Sequence, residues 1–210
     1  MTDRERWRQL KKGNRSALEA LFRQYYDDLF RYAVKFCGSE VVAEDHIQDL
    51  FLRIWKKRAN LGDVTGVKTY LWTALRRSLI DQIHKESRRS DIYTEFGEET
   101  SSMQFAVDEI IIQREKDRAK RAALKKAMDE LTPRQREIIY LRYYEGMTYE
   151  EIESITSLNY QTLRNYVCKS LKILDGVINS PANGILLTTL APFPLISLIC
   201  CVSHVLMMVH

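Results

Sequence analysis

The sequence predicts an all-α protein: two helical domains joined by an acidic linker. Three observations lead there. Apolar residues recur at three- and four-residue spacing in successive segments, the signature of amphipathic helices. No stretch alternates in the manner of a strand, and there is no internal repeat or glycine-rich phosphate loop. Charge falls in blocks. From Arg53 to Arg89 there are ten Lys/Arg against three acids (Asp63, Asp81, Glu86), and from Asp91 to Glu109 six acids and no base. That is the pattern of a basic functional face followed by an acidic linker. At 210 residues the chain is one large domain or two small ones, and with 45% hydrophobic and 29% charged residues most of it should fold. The net charge of +4 does not by itself imply nucleic acid; the distribution is the informative part.

The elements follow in order. Ser16 to Phe36 reads as a helix on Leu18, Leu21, Phe22, Tyr25, Leu29, Tyr32, Ala33 and Phe36, and Cys37-Gly38-Ser39 breaks it. Ala43 to Arg58 is a second helix. Ile47, Leu50, Phe51, Ile54 and Trp55 share one face, and Glu44, Asp45, Gln48, Asp49 and Arg53 the other. A loop from Asn60 to Val67 holds Gly62 and Gly66. The third helix runs from about Lys68 to Arg89 on Leu71, Trp72, Leu75, Leu79 and Ile83. Asp91 to Met103 has no period and reads as linker. A fourth helix runs from Asp108, a plausible cap, to Glu130. At Leu131-Thr132-Pro133-Arg134-Gln135, Thr132 caps, Pro133 suits the first helical position, and Gln135 completes a capping box. That helix extends to about Tyr144 and Gly146 ends it. Thr148 to Glu151 is a second capping box, opening a short helix to about Ile155. After a turn at 156–159, Asn159 caps a last helix from Tyr160 to about Ile178.

Several functions are excluded by what these residues lack. The four cysteines, Cys37, Cys168, Cys200 and Cys201, have no metal-ligand spacing and no histidine cluster. There is no nucleophile–base pair, so no catalytic site, metal or cofactor is expected. The first fifteen residues have no apolar core and are not a signal peptide. A cytosolic body with reduced thiols is expected.

Two regions carry chemistry. Met147 to Leu174 is a short helix, a tight turn and a longer helix, the helix-turn-helix pattern. Ile152, Ile155 and Leu158 form its inner seam, and Leu163, Val167, Leu171 and Leu174 give the second helix one buried face. The other face shows Gln161, Thr162, Arg164, Asn165 and Lys169, with no acid before Asp175. Arg, Asn and Gln can bond base edges in the major groove, and a helix N-terminus attracts phosphate. An ordinary helical hairpin with a solvated face is the plainer alternative, disfavoured because this face is basic and amide-rich. The Arg53 to Arg89 region interleaves cations with Tyr70, Trp72 and the glycine-containing loop. A loop beside a basic helix can hold an unstacked base and its backbone. Trp55 and Trp72 at helical spacing read as core.

With those residues on the page, a resemblance is close. LFRQYYDDLFRYAVKFCGSEVVAEDHIQDLFLRIWKK resembles the start of sigma region 2, and KTYLWTALRRSLIDQIHKESRR its helix that melts DNA and reads the minus-ten element. LKKAMDELTPRQREIIYLRYYEGMTYEEIESITSLNYQTLRNYVCKSLKIL resembles region 4. Order and spacing resemble extracytoplasmic-function (ECF) sigma factors, especially the type expanded in Bacteroidetes, over about residues 14–178. The resemblance implies region 2 at 14–90, the acidic linker at 91–107 and region 4 at 108–178. It implies that Asp45, Gln48 and Asp49 bind core RNA polymerase. It implies that Asn60, Leu61, Gly62, Asp63 and the rest of the loop capture a flipped minus-ten base. Lys68 would contact the same element, and Arg76, Arg77, His84, Lys85, Arg88 and Arg89 would follow the upstream duplex. Tyr160, Gln161, Thr162, Arg164, Asn165 and Lys169 would read the minus-thirty-five element of promoter DNA. The further partner implied is an anti-sigma factor, membrane-bound in this reading. Three departures stand out. Glu153 replaces the family's small residue in the scaffold helix, Ser157 its usual turn glycine, and Tyr166 an often basic recognition position.

The stretch at 181–210 is outside the resemblance. Ile185 to Val209 is 25 residues without a charge, above the ~18–20 that cross a bilayer as a helix. Pro192 and Pro194 interrupt it, and Lys169 and Lys172 lie on its N-terminal side, consistent with a cytoplasmic body. It reads as an inner-membrane anchor, as a segment packed on the protein or a partner, or as a dispensable extension. The expected function is a promoter-specificity subunit. The rivals are a helix-turn-helix regulator acting without polymerase, and a membrane-tethered interaction protein. The Asp45/Gln48/Asp49 surface is the feature for which a plain regulator has no use.

Overall fold

A computed structural model describes residues 1–89 and 118–178, and among the described residues every regular element is helical. The chain divides into two compact units. The first holds α1 (Asp3–Lys11), α2 (Arg15–Cys37), α3 (Glu40–Lys57), a 3-10 turn (Arg58–Asn60) and α4 (Val67–Arg89).

Helix α1 was not anticipated from periodicity. It starts at a capping box: the Thr2 hydroxyl accepts from the Glu5 amide, and the Glu5 carboxylate accepts from the Thr2 amide at 2.7 Å. That backbone N–H holds the Glu5 carboxyl below its ordinary range. Nine residues are too few to hold a helix alone. Docking on α2 supplies the rest. Trp7 and Leu10 are buried, Arg6 bonds to Gln24, and the Tyr25 hydroxyl donates to the Asp3 carboxylate.

Helix α2 is the spine, in contact with α1, α3 and α4. Leu21, Tyr25, Leu29, Tyr32, Ala33 and Phe36 are its buried stripe, as the spacing predicts. Each such leucine or phenylalanine contributes about 1.5–3 kcal/mol on burial. The reversal into α3 takes two residues. Gly38 adopts a left-handed φ of 72°, and the Ser39 hydroxyl caps α3 by accepting from the Val42 amide. Helix α3 buries Ile47, Leu50, Phe51 and Ile54 against the same core, joined by Val67, Leu71, Trp72, Leu75 and Leu79 of α4.

The second unit holds α5 (Arg118–Asp129), α6 (Pro133–Ile139), a π turn (Tyr140–Tyr144), α7 (Tyr149–Thr156) and α8 (Tyr160–Ile178). Both capping boxes form: Thr132 with Gln135, and Thr148 with Glu151. Asn159 caps α8 by accepting from the Thr162 amide at 2.8 Å. One expectation is corrected. The helix from Pro133 does not stay α-helical to Tyr144. The Glu145 amide donates to the Tyr140 carbonyl five residues back, and the Tyr140 and Tyr144 rings stack at 4.8 Å. Helix α8 packs on α5 and α6 with Leu163, Val167, Leu171 and Leu174 inward. The linker at 91–107, the helix start at Asp108 and the tail at 181–210 lie outside the described residues. Among the described residues no helix is long and apolar enough to cross a membrane.

Candidate nucleic-acid interface

In the first unit, residues of α3 and α4 together with Leu61 line a cleft of about 330 Å³. Leu50, Ile54 and Ala74 give its apolar floor. Leu61 and Tyr70 stand at the loop end, and Arg53, Lys57 and Arg77 add cations to its walls. Thr73, Ser78 and the Asp81 carboxylate complete the lining, so the cleft pairs an apolar floor with polar, charged walls. Its cations suit a phosphate backbone crossing the mouth.

The loop residues are held from an unexpected quarter. Trp7 of α1 donates its indole N–H to the Gly62 carbonyl at 3.1 Å. The Lys11 ammonium pairs with the Asp63 carboxylate at 2.7 Å and holds that carboxyl below its ordinary range. Arg4 donates to the Thr65 carbonyl at 3.3 Å. The Trp7 ring also meets the Tyr70 ring edge-to-face at 4.9 Å. Thus Asp63, expected at the DNA, is engaged by Lys11, while Asn60 and Gly62 are exposed and Leu61 is half-buried.

The cations of α4 separate by face. Arg77, His84 and Lys85 are exposed. Lys68 is half-buried, its ammonium 5.2 Å from the centre of the Trp72 ring. Arg76, expected along the upstream duplex, differs from these exposed cations. Its side chain is turned into the bundle, 5% exposed, with its guanidinium 5.8 Å from the Phe36 ring centre. Arg88 and Arg89 continue the helix, but their side chains lie outside the described residues. On α3, Asp45, Gln48 and Asp49 are exposed together, and Gln48 donates to Glu44 at 3.2 Å.

In the second unit, Ile152 and Ile155 are buried and Leu158 half-buried, so the inner seam forms. Gln161, Asn165 and Lys169 are exposed, Thr162 and Arg164 partly so, and Tyr160 is 47% exposed. A ladder of rings and cations links the two helices. The Arg142 guanidinium lies 4.8 Å from the Tyr149 ring, Tyr149 meets Tyr160 edge-to-face at 5.3 Å, and Arg164 lies 5.9 Å from the Tyr160 ring. Burial pushes the Tyr149 hydroxyl up, with Arg142 opposing. The turn departures have local explanations. Ser157 takes a left-handed φ of 58°, the conformation that glycine adopts at lowest cost. Glu153 is exposed, so no small side chain is required there.

Sequence reasoning missed Arg4, Trp7 and Lys11, and did not single out Arg53 and Lys57. The signals were available: Thr2-x-x-Glu5 is a capping box, and Trp7 and Leu10 stand three apart.

Comparison with known proteins fits both units. The model of Sigma-70 region 2 matches residues 21–89, and that of Sigma-70, region 4 matches 121–174, together more than half of the chain. The chain is 25% identical over 169 residues to the ECF RNA polymerase sigma factor SigL of Mycobacterium tuberculosis, spanning 77% of this chain and 92% of the relative. It is 24% identical over 173 residues to the ECF RNA polymerase sigma factor SigK of Mycobacterium sp. strain JLS, spanning 81% and 84%. Among solved structures, CnrH in complex with the cytosolic domain of CnrY is similar with TM-score 0.58 and 16% identity, over 85% of this chain and 97% of that one. The sigma factor RpoE in complex with the anti-sigma factor NepR from Bartonella quintana is similar with TM-score 0.55 and 21% identity, over 77% and 96%. Sequence models at both ends and relatives along most of the length agree: the chain belongs to the ECF RNA polymerase sigma factor family.

Proposed function

We propose that this sigma factor lends core RNA polymerase two DNA contacts, one on each unit. The loop at 61–66 and the cleft behind it capture an unstacked base of the minus-ten element, while Arg77, His84 and Lys85 follow the backbone. Gln161, Arg164 and Asn165 read minus-thirty-five base edges, and Lys169 meets phosphate. Asp45, Gln48 and Asp49 dock on polymerase. The domains are then region 2 at 14–90, linker at 91–107 and region 4 at 108–178, in a chain of the type expanded in Bacteroidetes. The observation that carries the reading is the cleft. An apolar floor, a tyrosine ring and three cations against one carboxylate, Asp81, around one base-sized opening suit a stacked base and its phosphates, and base–aromatic stacking contributes about 1–3 kcal/mol.

Two solved neighbours are complexes, one named as a sigma factor with an anti-sigma factor. That supports control of this chain by an anti-sigma protein that masks these surfaces in the cytoplasm. The uncharged tail at 185–209 would place that encounter at the inner membrane.

Transcription from a promoter library with purified core polymerase tests the reading. The wild type should select a two-element promoter. Replacing Asp45, Gln48 and Asp49 together should abolish holoenzyme formation at unchanged helicity. Core binding equal to wild type in that variant overturns the docking surface, and a selected promoter lacking any minus-ten preference overturns base capture.

A further inference from the structure

Helix α1 touches the loop at three separate residues. Trp7 bonds the Gly62 carbonyl at 3.1 Å, Lys11 the Asp63 carboxylate at 2.7 Å, and Arg4 the Thr65 carbonyl at 3.3 Å. None of the three lines the cleft. The helix is itself fixed to the bundle, by burial of Trp7 and Leu10 and by the Asp3–Tyr25 and Arg6–Gln24 bonds to α2. A loop without regular structure thus hangs from a rigid neighbour by side chains on consecutive turns of one face, positions 4, 7 and 11. The Trp7 ring also supports Tyr70, the ring at the mouth of the cleft. Little else positions Gly62 by sterics, since a Cβ there would meet nothing within 4 Å.

We propose that Trp7 and Lys11 are positioning residues for base selection: they hold the loop at 61–66 and Tyr70 in the shape that discriminates the captured base. The proposal rests on the base-capture reading of the cleft. It places a determinant of promoter preference on a helix whose residues do not line the cleft. The Asp63 carboxyl, held low by Lys11, stays ionised through the neutral range, so the tether is present under ordinary conditions.

The test is the ratio of transcription from the selected promoter to that from promoters substituted at each minus-ten position, with holoenzyme made from the full chain. Trp7→Phe with Lys11→Met keeps an aromatic ring in the core and removes both tethers. Its ratio at one position should fall by about 2- to 10-fold, the net worth of about one hydrogen bond. Polymerase affinity and minus-thirty-five preference should stay unchanged. Lys11→Met alone leaves the buried Trp7 and Leu10 in place and removes a pair whose carboxylate is 81% exposed. It should give the smaller effect of a screened pair, about 1.5- to 5-fold, and Lys11→Arg should restore the ratio. Leu61→Ala, in the loop itself, is the reference. If Leu61→Ala flattens the ratio and the double variant does not, the proposal is overturned while base capture stands. If neither changes it, base capture fails and the proposal with it. A uniform loss at all positions in Lys11→Met, with weakened polymerase binding, would mean that α1 serves stability alone, and also overturns it.

Discussion

Glu137→Ala removes the acid from a buried ion pair in the second unit. The Arg134 guanidinium donates to the Glu137 carboxylate at 2.6 Å, with the side chains 8% and 0% exposed. Both sit on α6, which packs against the recognition helix α8. Taking away one partner breaks a hydrogen-bonded charge pair in a water-poor site, a cost of about 3–5 kcal/mol. Small domains have about 5–15 kcal/mol in all, so the second unit should lose a large part of its stability. The assay exploits the aromatic residues. All three tryptophans, Trp7, Trp55 and Trp72, lie in the first unit's helices. Indole fluorescence therefore follows that unit, while far-UV circular dichroism follows both. In urea the fluorescence transition should stay in place. The dichroism should gain an earlier phase displaced by at least about 1 M, given m-values of about 1–3 kcal/mol/M. Replacing the pair by apolar residues, Arg134→Met with Glu137→Leu, should recover most of the loss, because the desolvation cost of both charges disappears with them. A dichroism phase displaced by less than about 1 kcal/mol in Glu137→Ala, or an equal shift of the fluorescence transition, would refute the reasoning.

The other expectations are briefer. Ser157→Gly relieves a left-handed residue and should raise stability by about 0.5–1 kcal/mol after the larger entropy of the unfolded glycine chain is set against it; a lower melting temperature would contradict this. Arg77→Ala should lower the salt slope of DNA binding by about one at unchanged stability, whereas Arg76→Ala should cost about 1.5–3 kcal/mol of stability through its buried site; an Arg76 variant of full stability with a reduced salt slope would reverse the assignment. Burial, then the Asp3 hydrogen bond, pushes the Tyr25 hydroxyl far above its ordinary range. A group with a raised folded pKa stabilises fully below its unfolded value, here about 10, and loses that contribution as pH rises further, by up to about 1.4 kcal/mol per pH unit. Tyr25→Phe should therefore flatten the fall in stability above pH 10 measured by fluorescence in urea, and an unchanged slope would exclude the mechanism.

Which parts were legible follows from where the information sits. The stripes of α2, α3 and α4 and the capping boxes at Thr132 and Thr148 are local patterns; the boxes formed where they were read, and the stripes did so except that Leu18, Phe22, Trp55 and Ile83 are half-buried. Helix α1 has two apolar residues in nine, so a periodicity argument passes over it; its stability comes from tertiary docking. The loop's tethers depend on that docking and were invisible with it. The burial of Arg76 was legible in the sequence. A count of cations along α4 mixes its faces, yet Arg76 stands four after Trp72 and three before Leu79, inside the apolar stripe. A cation in that register points inward, and Arg77, one step on, points out. The π turn had no sequence signal: nothing in Tyr-Leu-Arg-Tyr-Tyr distinguishes it from an α-helical turn.

Helix α3 shows how one element can carry two surfaces of opposite charge without conflict. Its acids come first, at Glu40, Glu44, Asp45 and Asp49, and its bases after them, at Arg53, Lys56 and Lys57. That order suits the helix dipole, with acids toward the N-terminus and bases toward the C-terminus, each contributing about 0.3–1 kcal/mol when near an end. The same order would separate the two proposed functions. The bases that line the cleft arise within the last turns, at the loop end, where a phosphate backbone would pass. The carboxylates proposed to meet polymerase lie one to three turns earlier, so their repulsion on that backbone is screened over a distance near the ~8 Å Debye length. Local helix stability and the separation of two binding surfaces therefore favour the same distribution of charge. Exchanging Asp49 with Arg53 keeps the net charge while opposing both, which makes it a sharper probe of α3 than neutralising either residue.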